Sequence, residues 1–372
     1  MVMDVVAAAA RLEAQGRRII HMEVGQPAAG APATAIAAAR AALGGARLGY
    51  TETLGTETLR RRVALAYGEW HGIDLDPSRI VVTTGSSAGF ILAFLAAFNA
   101  GDRVAIGVPG YPPYRHILAA LGCEPVVMET GEATRWALTA DALVAAHRTK
   151  PLNGVVVASP ANPSGTMMMV SAMTDLIRCA EDVGITVISD EIYHGLDYAF
   201  VAESAARIAS DVIVINSFSK YFCMTGWRIG WMVVPPSLLR AVERLQQNLA
   251  ISVPTLSQIA AEAAFEGRAE LETVRRGYEE NRRILLDGLP RVGLDRFLPA
   301  DGAFYLYADI SRFSTDSFAF ATRMLEEAGV AATPGVDFDP QRGRNFLRLS
   351  YAGGAADMRE AVERIGNWLR QI

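Results

Sequence analysis

Residues 212–220 read Val212-Ile213-Val214-Ile215-Asn216-Ser217-Phe218-Ser219-Lys220, a β-branched run that turns polar at its carboxyl end and stops on a lysine. A run that is apolar at consecutive positions, rather than alternating, is buried on both faces, as in a parallel sheet covered by helices. The same form recurs upstream at Ile80 to Thr84, Arg103 to Val108, Pro125 to Met128, Gly154 to Ala158 and Ile185 to Ser189, and downstream at Ile229 to Val234. Helical segments or long connections separate most of these runs, among them an amphipathic stretch from Glu57 to Trp70 and an apolar one from Ala88 to Phe98. Strand and helix in alternation predict an α/β fold with a mostly parallel sheet between helices.

Outside these runs the rhythm changes. Residues 5 to 19 have helical spacing and lead into an apolar stretch that breaks at Val24-Gly25-Gln26-Pro27, which reads as an arm. Leu238 to Leu249 and a long charged helix from about Gly267 to Leu289 precede Gly302 to Tyr307, Phe346 to Tyr351 and a terminal helix. Two strands and two helices there make a small α+β unit. The expected division is a large domain at 36–270 and a small one formed by 1–35 with 271–372.

The chain has 372 residues, of which 51% are hydrophobic and 20% charged, a globular composition that excludes disorder and suits two domains. A net charge of -5 without any basic block argues against a nucleic-acid partner. The cysteines, Cys123, Cys179 and Cys223, are odd in number and widely spaced, so no disulfide framework and no metal site is expected, and a cytoplasmic location fits. The longest apolar stretch, Phe90 to Phe98, is about half a membrane span, and no basic leader region precedes it, so no membrane anchor is expected.

One count stands out. Of the 35 Lys and Arg residues only Lys150 and Lys220 are Lys. Guanidinium stays protonated and is a poor nucleophile, whereas a desolvated lysine can lose its proton and attack a carbonyl. Lys150, before Pro151 in a polar turn, reads as solvated. Lys220 sits at a strand end, and the count alone leaves two readings open there: a buried-rim cation, or a reactive amine.

In a doubly wound sheet, ligands bind outside the carboxyl ends of the strands. Those ends are unusually polar in this chain. Gly85-Ser86-Ser87-Ala88-Gly89 opens a helix whose free N–H groups would hold a phosphate. Pro109-Gly110-Tyr111, Ser159-Pro160-Ala161-Asn162-Pro163-Ser164-Gly165, Asp190 with Tyr193, and Ser217 to Lys220 follow other runs. One crevice would thus receive a phosphate cradle, an aromatic ring, an amide, a carboxylate, a phenol and an amine. A carbonyl cofactor condensed with Lys220 needs all of these, and pyridoxal 5'-phosphate is a cofactor with those needs.

Ser217-Phe218-Ser219-Lys220 followed by Gly226-Trp227-Arg228-Ile229-Gly230, with Asn162-Pro163-Ser164-Gly165 and Asp190-Glu191-Ile192-Tyr193 upstream, closely resembles the class I/II aminotransferases of fold type I. The resemblance runs from about Val24 to the C-terminus. It implies the α/β fold type I architecture, with a mostly parallel, mixed seven-stranded sheet between helices and a small α+β domain. It also implies a ping-pong transfer of an amino group between an amino acid and a 2-oxo acid. Carried over by position, Lys220 is the Schiff-base lysine and proton carrier, Asp190 the partner of the pyridine nitrogen, and Asn162 and Tyr193 the donors to the ring oxygen. Ser86, Ser87, Ser217 and Arg228 would hold the phosphate, and Tyr111 would stack on the ring. Tyr50 would reach the phosphate of the neighbouring subunit in a homodimer with shared sites. Arg348 would bind the substrate α-carboxylate, with a backbone contact from Gly25.

Blander readings attach to each residue alone: Asp190 as a cap, the Asn162 segment as a turn, Arg348 as a solvated strand residue, Tyr50 and Tyr111 as loop aromatics. His194 is expected to be structural and Asp197 solvated. Gly85-Ser86-Ser87-Ala88-Gly89 also fits the nucleophile elbow of an α/β-hydrolase, with Ser87 as nucleophile, but no histidine follows His194 in the chain. Within the family, β-lyase and decarboxylase chemistry are the alternatives to transamination. A binding-only role, as in regulators that embed this domain, would need a DNA-binding extension, for which the arm before Val24 is short. Ser87 stands where some aspartate-using relatives place a lysine, and no second carboxylate-binding cation is evident. With Tyr305 nearby, an apolar or aromatic amino donor is expected. Asp339, where relatives often have glycine, is expected to reshape the pocket rim.

Overall fold

The computed structural model describes residues 2–372. In chain order the strands are β1 (Ile20–His21), β2 (Ile80–Thr83), β3 (Arg103–Val108), β4 (Glu124–Glu129), β5 (Gly154–Ala158), β6 (Thr186–Asp190), β7 (Ile213–Ser217), β8 (Gly230–Val233), β9 (Tyr305–Asp309), β10 (Val330–Ala331), β11 (Thr333–Pro334) and β12 (Phe346–Ser350). The seven β-branched runs of the sequence become one seven-stranded sheet in the order β2-β8-β7-β6-β5-β3-β4. Only β8 pairs antiparallel, with β2 and β7 on either side.

Side-chain alternation explains why these runs are apolar at every position. Val155, Val157, Val187 and Val214 join one core cluster, while Val156, Ile188, Ile213 and Ile215 join another. Successive residues point to opposite faces, so a strand buried on both must be apolar throughout, and each buried Val or Ile contributes about 1.5–3 kcal/mol.

The helices are α1 (Val2–Ala14), α2 (Ala33–Gly45), α3 (Glu57–His71), α4 (Gly85–Ala97), α5 (Pro113–Ala120), α6 (Ala140–Thr149), α7 (Val170–Asp182), α8 (Ala205–Ile208), α9 (Pro236–Leu249), α10 (Thr255–Ala264), α11 (Arg268–Arg291), α12 (Ser317–Arg323) and α13 (Ala355–Leu369). The expected helix over 5–19 stops at Ala14: the chain turns at Gly16 (φ +83°) and goes on into β1. In α11 the residues Leu271, Tyr278, Leu285 and Leu289 form the buried stripe, and the charged remainder faces outward.

Beyond α11, β11-β12-β9 form an antiparallel sheet, and β1 pairs in parallel with β10. The sequence reading has only β9 and β12 in this region; β10, β11 and α12 are additional, because two-residue strands carry no periodicity to read. The arm is stitched to this unit, with Met22 accepting from the Ser350 N–H at 2.7 Å and donating to Ala331 at 3.0 Å. The expected division at residue 36 falls inside α2, and that at 270/271 inside α11. Among the described residues no helix is long and apolar enough to cross a membrane.

Candidate active site

The sheet topology brings distant strand ends together. β2, β5, β6 and β7 run the same way, so Thr83, Ala158, Asp190 and Ser217 end at one edge. Because β8 runs against its neighbours, its first residue, Gly230, pairs with both Thr83 and Ser217 at that edge. Arg228, two residues earlier, is therefore delivered to the same place as the strand ends. A cleft of about 670 Å³ opens there, lined by Gly25, Ser86, Ser87, Tyr111, Asn162, Tyr193, Ser219, Lys220, Arg228, Tyr305, Phe338 and Arg348 among others.

Lys220 Nζ donates to the Gly25 carbonyl at 2.6 Å and lies 5.9 Å from the Tyr193 ring centroid. Burial pushes its ammonium down to about 8; the Arg348 guanidinium adds to the shift and Asp190 opposes it. A usable fraction of free amine thus exists near neutral pH. Asp190 is 3% exposed. Its carboxylate accepts from the Tyr114 hydroxyl and, at 3.2 Å, from the Ile192 N–H. Burial pushes the carboxyl up to about 6, against the pull of those two donors. Both donors are neutral, so the site favours a cation beside this oxygen pair.

Arg348, on β12, is 3% exposed. Thr333 and Tyr307 lie directly across from it on the flanking strands, and Tyr305 diagonally, all on one face of the small sheet. Its guanidinium lies 4.5 Å from the Tyr305 centroid and 4.8 Å from that of Phe338. It donates to Asn162 Oδ1 at 3.0 Å, to Thr333 Oγ1 at 3.2 Å and to the Glu23 carbonyl, all neutral oxygens, while Nε has no partner. A buried cation hydrogen-bonded only to neutral groups is a receptor for an anion. Arginine can only donate, so its bond to Asn162 fixes the amide with Oδ1 toward Arg348 and the NH₂ free to donate elsewhere.

The α4 N-terminus is the second anion receptor. Thr84 at its N-cap offers no side-chain cap, so the first N–H groups stay open to a ligand. Gly85 (φ +76°) opens the helix, and a β-carbon there would meet Arg228 Nη2 at 2.5 Å. Glycine lets the guanidinium lie over the helix end. Ser86 and Ser87 stand in the first turn and line the cleft.

Most of the sequence-selected residues converge in this cleft. Tyr111 packs edge-on to Tyr114 with centroids 5.4 Å apart, and burial pushes its phenol up to about 12. The Tyr193 hydroxyl meets that of Tyr305 at 2.8 Å, and burial pushes its phenol up. Gly25 approaches Tyr305 so closely that a β-carbon would collide with the phenol oxygen. Its carbonyl holds Lys220, a contact the sequence reading does not contain.

Three residues are not part of the lining: Asp190, buried just behind it with its charge felt by Lys220, and two more. Ser217 is buried behind the wall, bonded to Ser219 Oγ at 2.8 Å and to the Ile229 carbonyl at 3.1 Å; Ser219 lines the cleft in its stead. Tyr50 is 82% exposed and is not part of this cleft. Its loop is nonetheless pinned, by Thr255 Oγ1 to the Gly49 carbonyl at 2.5 Å and by Gln258 to Thr51 Oγ1 at 2.9 Å.

His194 is structural, as expected: buried, bonded through Nε2 to the Ser159 carbonyl at 3.1 Å, and held down at about 4 by burial. This leaves Ser87 without that histidine. Lys150 is solvated and pairs with Glu124 at 3.1 Å. Asp197 departs from expectation, since it is half-buried and accepts from the Ala202 N–H at 3.0 Å. Asp339 does not shape the rim. It is buried, accepting from the Gln341 and Arg342 N–H groups at 3.1 and 3.0 Å, and it is Asp337 and Phe338 that line the cleft. Sequence reasoning missed Tyr114, Ser219, Phe338 and Glu23. Only Tyr114 had a signal, its i,i+3 spacing from Tyr111 at the start of α5.

A sequence profile described as Aminotransferase class I and II matches residues 17–365. A valine–pyruvate aminotransferase of Mycobacterium tuberculosis is 49% identical over 99% of this chain and 95% of its own. A (5-formylfuran-3-yl)methyl phosphate transaminase of Methanocaldococcus jannaschii is 34% identical over 100% of this chain and 96% of its own. Among solved structures, an aminotransferase from M. tuberculosis superposes with a TM-score of 0.97 at 49% identity, covering 100% of this chain and 96% of that one. The Thermus thermophilus aspartate aminotransferase with maleate gives 0.92 at 31% identity, covering 98% and 96%.

The chain belongs to the class I and II aminotransferases, with the fold type I architecture of that family. Its activity is the transfer of an amino group in the manner of these enzymes, which depend on pyridoxal phosphate.

Proposed function

We propose that this chain binds pyridoxal 5'-phosphate in the cleft and moves an amino group between an apolar amino acid and a small 2-oxo acid. The observation that carries the reading is a geometric one: a lysine amine in the cleft held only by the Gly25 carbonyl, a buried guanidinium there bonded only to neutral oxygens, and the buried Asp190 carboxylate just behind the lining, bonded only to neutral donors. When bound, the cofactor supplies an aldehyde to accept the amino group and a protonated ring that draws electrons from the donor α-carbon.

The chain's own residues then have separable tasks. Lys220 Nζ would anchor the aldehyde, and its amine would carry the α-proton. Asp190 holds a proton on the ring nitrogen, Tyr111 covers the ring, and Tyr193 and the Asn162 NH₂ donate to the ring oxygen. The α4 N–H groups, Ser86, Ser87, Ser219 and Arg228 take the phosphate, with Ser217 bracing Ser219. Arg348 takes the substrate α-carboxylate, aided by the Gly25 backbone, and so orients the α C–H bond.

Val24, Pro112, Pro113, Ile192, Tyr305 and Phe338 make much of the cleft apolar. Its three cations, Lys220, Arg228 and Arg348, all have tasks above, which leaves none for a second substrate carboxylate. This, together with the similarity to a valine–pyruvate aminotransferase, favours an apolar donor such as valine. We place the domain boundary just before Ala33, so that α2 stays whole with the large sheet; the small domain is then the arm, of which Met1 lies outside the described residues, with the chain from α11 onward. Tyr50, exposed on a pinned loop, is the residue offered to a second subunit's phosphate in a homodimer.

The test is a spectral titration of the loaded protein against single amino acids, with borohydride fixation and peptide mapping. Label at Lys220 and conversion by valine-like donors support the reading; aspartate as the sole effective donor, or label elsewhere, overturns it. Tyr50→Phe should weaken cofactor retention without lowering the melting temperature of the cofactor-free protein.

A further inference from the structure

One residue past Asp190 lies a second buried carboxylate for which the reaction has no use. Glu191 is 1% exposed and is not part of the cleft lining. Its Oε1 accepts from the Ala205 N–H at 2.7 Å and the Ser189 hydroxyl at 3.1 Å, and Oε2 accepts from the Ser204 hydroxyl at 2.8 Å. Its backbone N–H donates to Ile215 on β7 at 2.8 Å, and its carbonyl accepts from the His194 N–H at 3.0 Å. One residue thereby ties three things together: β7, α8, and the turn that carries both Asp190 and Tyr193.

The groups around its charge are Asp190 and His194 on its own segment, His71 and Tyr67 from α3, Glu203 just before α8 and Arg207 within it. His194 Nδ1 stands 3.5 Å from Oε2. The Ser159 carbonyl can only accept, so His194 carries its proton on Nε2 and turns a lone pair, not a charge, toward Glu191. Burial also keeps His71 down at about 4, and Arg207 is engaged with Glu203 at 3.5 Å and the His71 carbonyl at 3.1 Å. Among the described residues Glu191 therefore has hydrogen-bond donors but no close cation. Burial pushes it up to about 7. Ionised, it places a second negative charge beside Asp190 in a low-dielectric wall.

We propose that Glu191 is a positioning residue of this aminotransferase: it staples the Asp190–Tyr193 turn to α8 and, when ionised, adds its charge to that of Asp190 in holding a protonated ring nitrogen. This rests on the reading above that Asp190 pairs with that nitrogen. The sign follows from linkage. A cationic ring beside Asp190 favours ionised Glu191, so Glu191 has a lower pKa in the loaded protein than in the empty one. Affinity for the cofactor then rises as pH climbs through the titration of Glu191 in the empty chain.

The experiment measures pyridoxal 5'-phosphate affinity of full-length wild type, Glu191→Gln, Glu191→Ala and Ser204→Ala at a series of pH values, with melting curves alongside. Glutamine keeps the shape: its oxygen serves Ala205 and Ser189, and its NH₂ faces the Ser204 oxygen and the His194 lone pair. The ratio of wild-type to Glu191→Gln affinity should be near one in acid and climb to about tenfold in alkali, one pKa unit of coupling. Glu191→Ala should bind about tenfold more weakly at every pH, acid included, where the amide rescues. Ser204→Ala, a gentler change, removes one donor to the carboxylate and should move the step to higher pH.

A ratio that stays flat across pH removes the charge from the proposal, and wild-type acid-side affinity in Glu191→Ala removes the staple. If wild type itself fails to bind the cofactor, the functional reading fails instead; if wild type binds and the variants match it throughout, only this inference does.

Discussion

The cleft has two walls of different construction. The cofactor wall, with Asn162, Asp190, Tyr193 and Lys220, comes from consecutive strand ends of one sheet. The substrate wall, with Gly25, Tyr305, Phe338 and Arg348, comes from the arm, the three-stranded sheet and the connection between β11 and β12. The bonds that close it span the chain: Lys220 to Gly25 across 195 residues, Arg348 to Asn162 across 186, and Arg348 to Glu23 across 325. One wall follows from the direction of its strands, while the other exists only once the two ends of the chain meet. The difference separates two jobs, since the first wall can hold a cofactor without the second, but only their meeting admits a substrate.

The largest expected effect lies at the joint. Lys220→Ala should lower the half-reaction rate with valine by at least ~10⁴-fold in stopped flow, because anchor and proton carrier vanish together. A variant with near-normal turnover would mean that the walls do not meet at this amine. Next, Arg348→Ala tests whether the walls are separable. It should lower kcat/KM by about 10²-fold for donor and acceptor alike, while the visible spectrum of the loaded enzyme stays as in wild type. Arg348→Lys should recover little, since an ammonium lacks the planar fork. Loss of cofactor in either variant would join the two walls into one.

A subtler effect concerns pH. The rate at which the empty protein's Lys220 condenses with pyridoxal should rise about tenfold per pH unit and level off above 8, as the ammonium titrates. The sign is that of a depressed amine: free base accumulates above its pKa and is lost below it. In Arg348→Ala the plateau should arrive at higher pH, because one of the repelling charges is gone. An unmoved inflection would show that the substrate wall does not reach the lysine electrically. The smallest effect belongs to Tyr305→Phe, which removes the hydroxyl shared with Tyr193 across the walls. It should cost about 1 kcal/mol, a few-fold in kcat/KM, with cofactor affinity unchanged.

Much of the first wall was readable beforehand. Consecutive β-branched residues can be buried on both faces only inside a covered sheet, so Ile80 to Thr84, Gly154 to Ala158 and Val212 to Asn216 announce the architecture, and polar residues just after them announce the site. The scarcity of lysine singled out Lys220. The second wall was hardly readable. β10 and β11 are two residues long, shorter than any period, and Glu23 enters the site through its carbonyl, which every residue possesses. Arg348 sits among many arginines; only its resemblance to the family's carboxylate-binding arginine marked it, and its burial beside Tyr305 and Phe338 comes from the small sheet. Ser217 and Ser219 differ by two residues, and which of them lines the cleft depends on a hydrogen bond to Ile229 that no spacing rule contains.

Sequence alone thus determined the strands, their burial and the chemistry at their ends, because side-chain period and residue type are properties of short segments. Tertiary structure alone decided the reversal of β8 that delivers Arg228, the closure of the arm over Lys220, and the burial that sets the charge of Lys220, Asp190 and Glu191. Those depend on which distant groups exclude water from one another, and desolvation has no local signature.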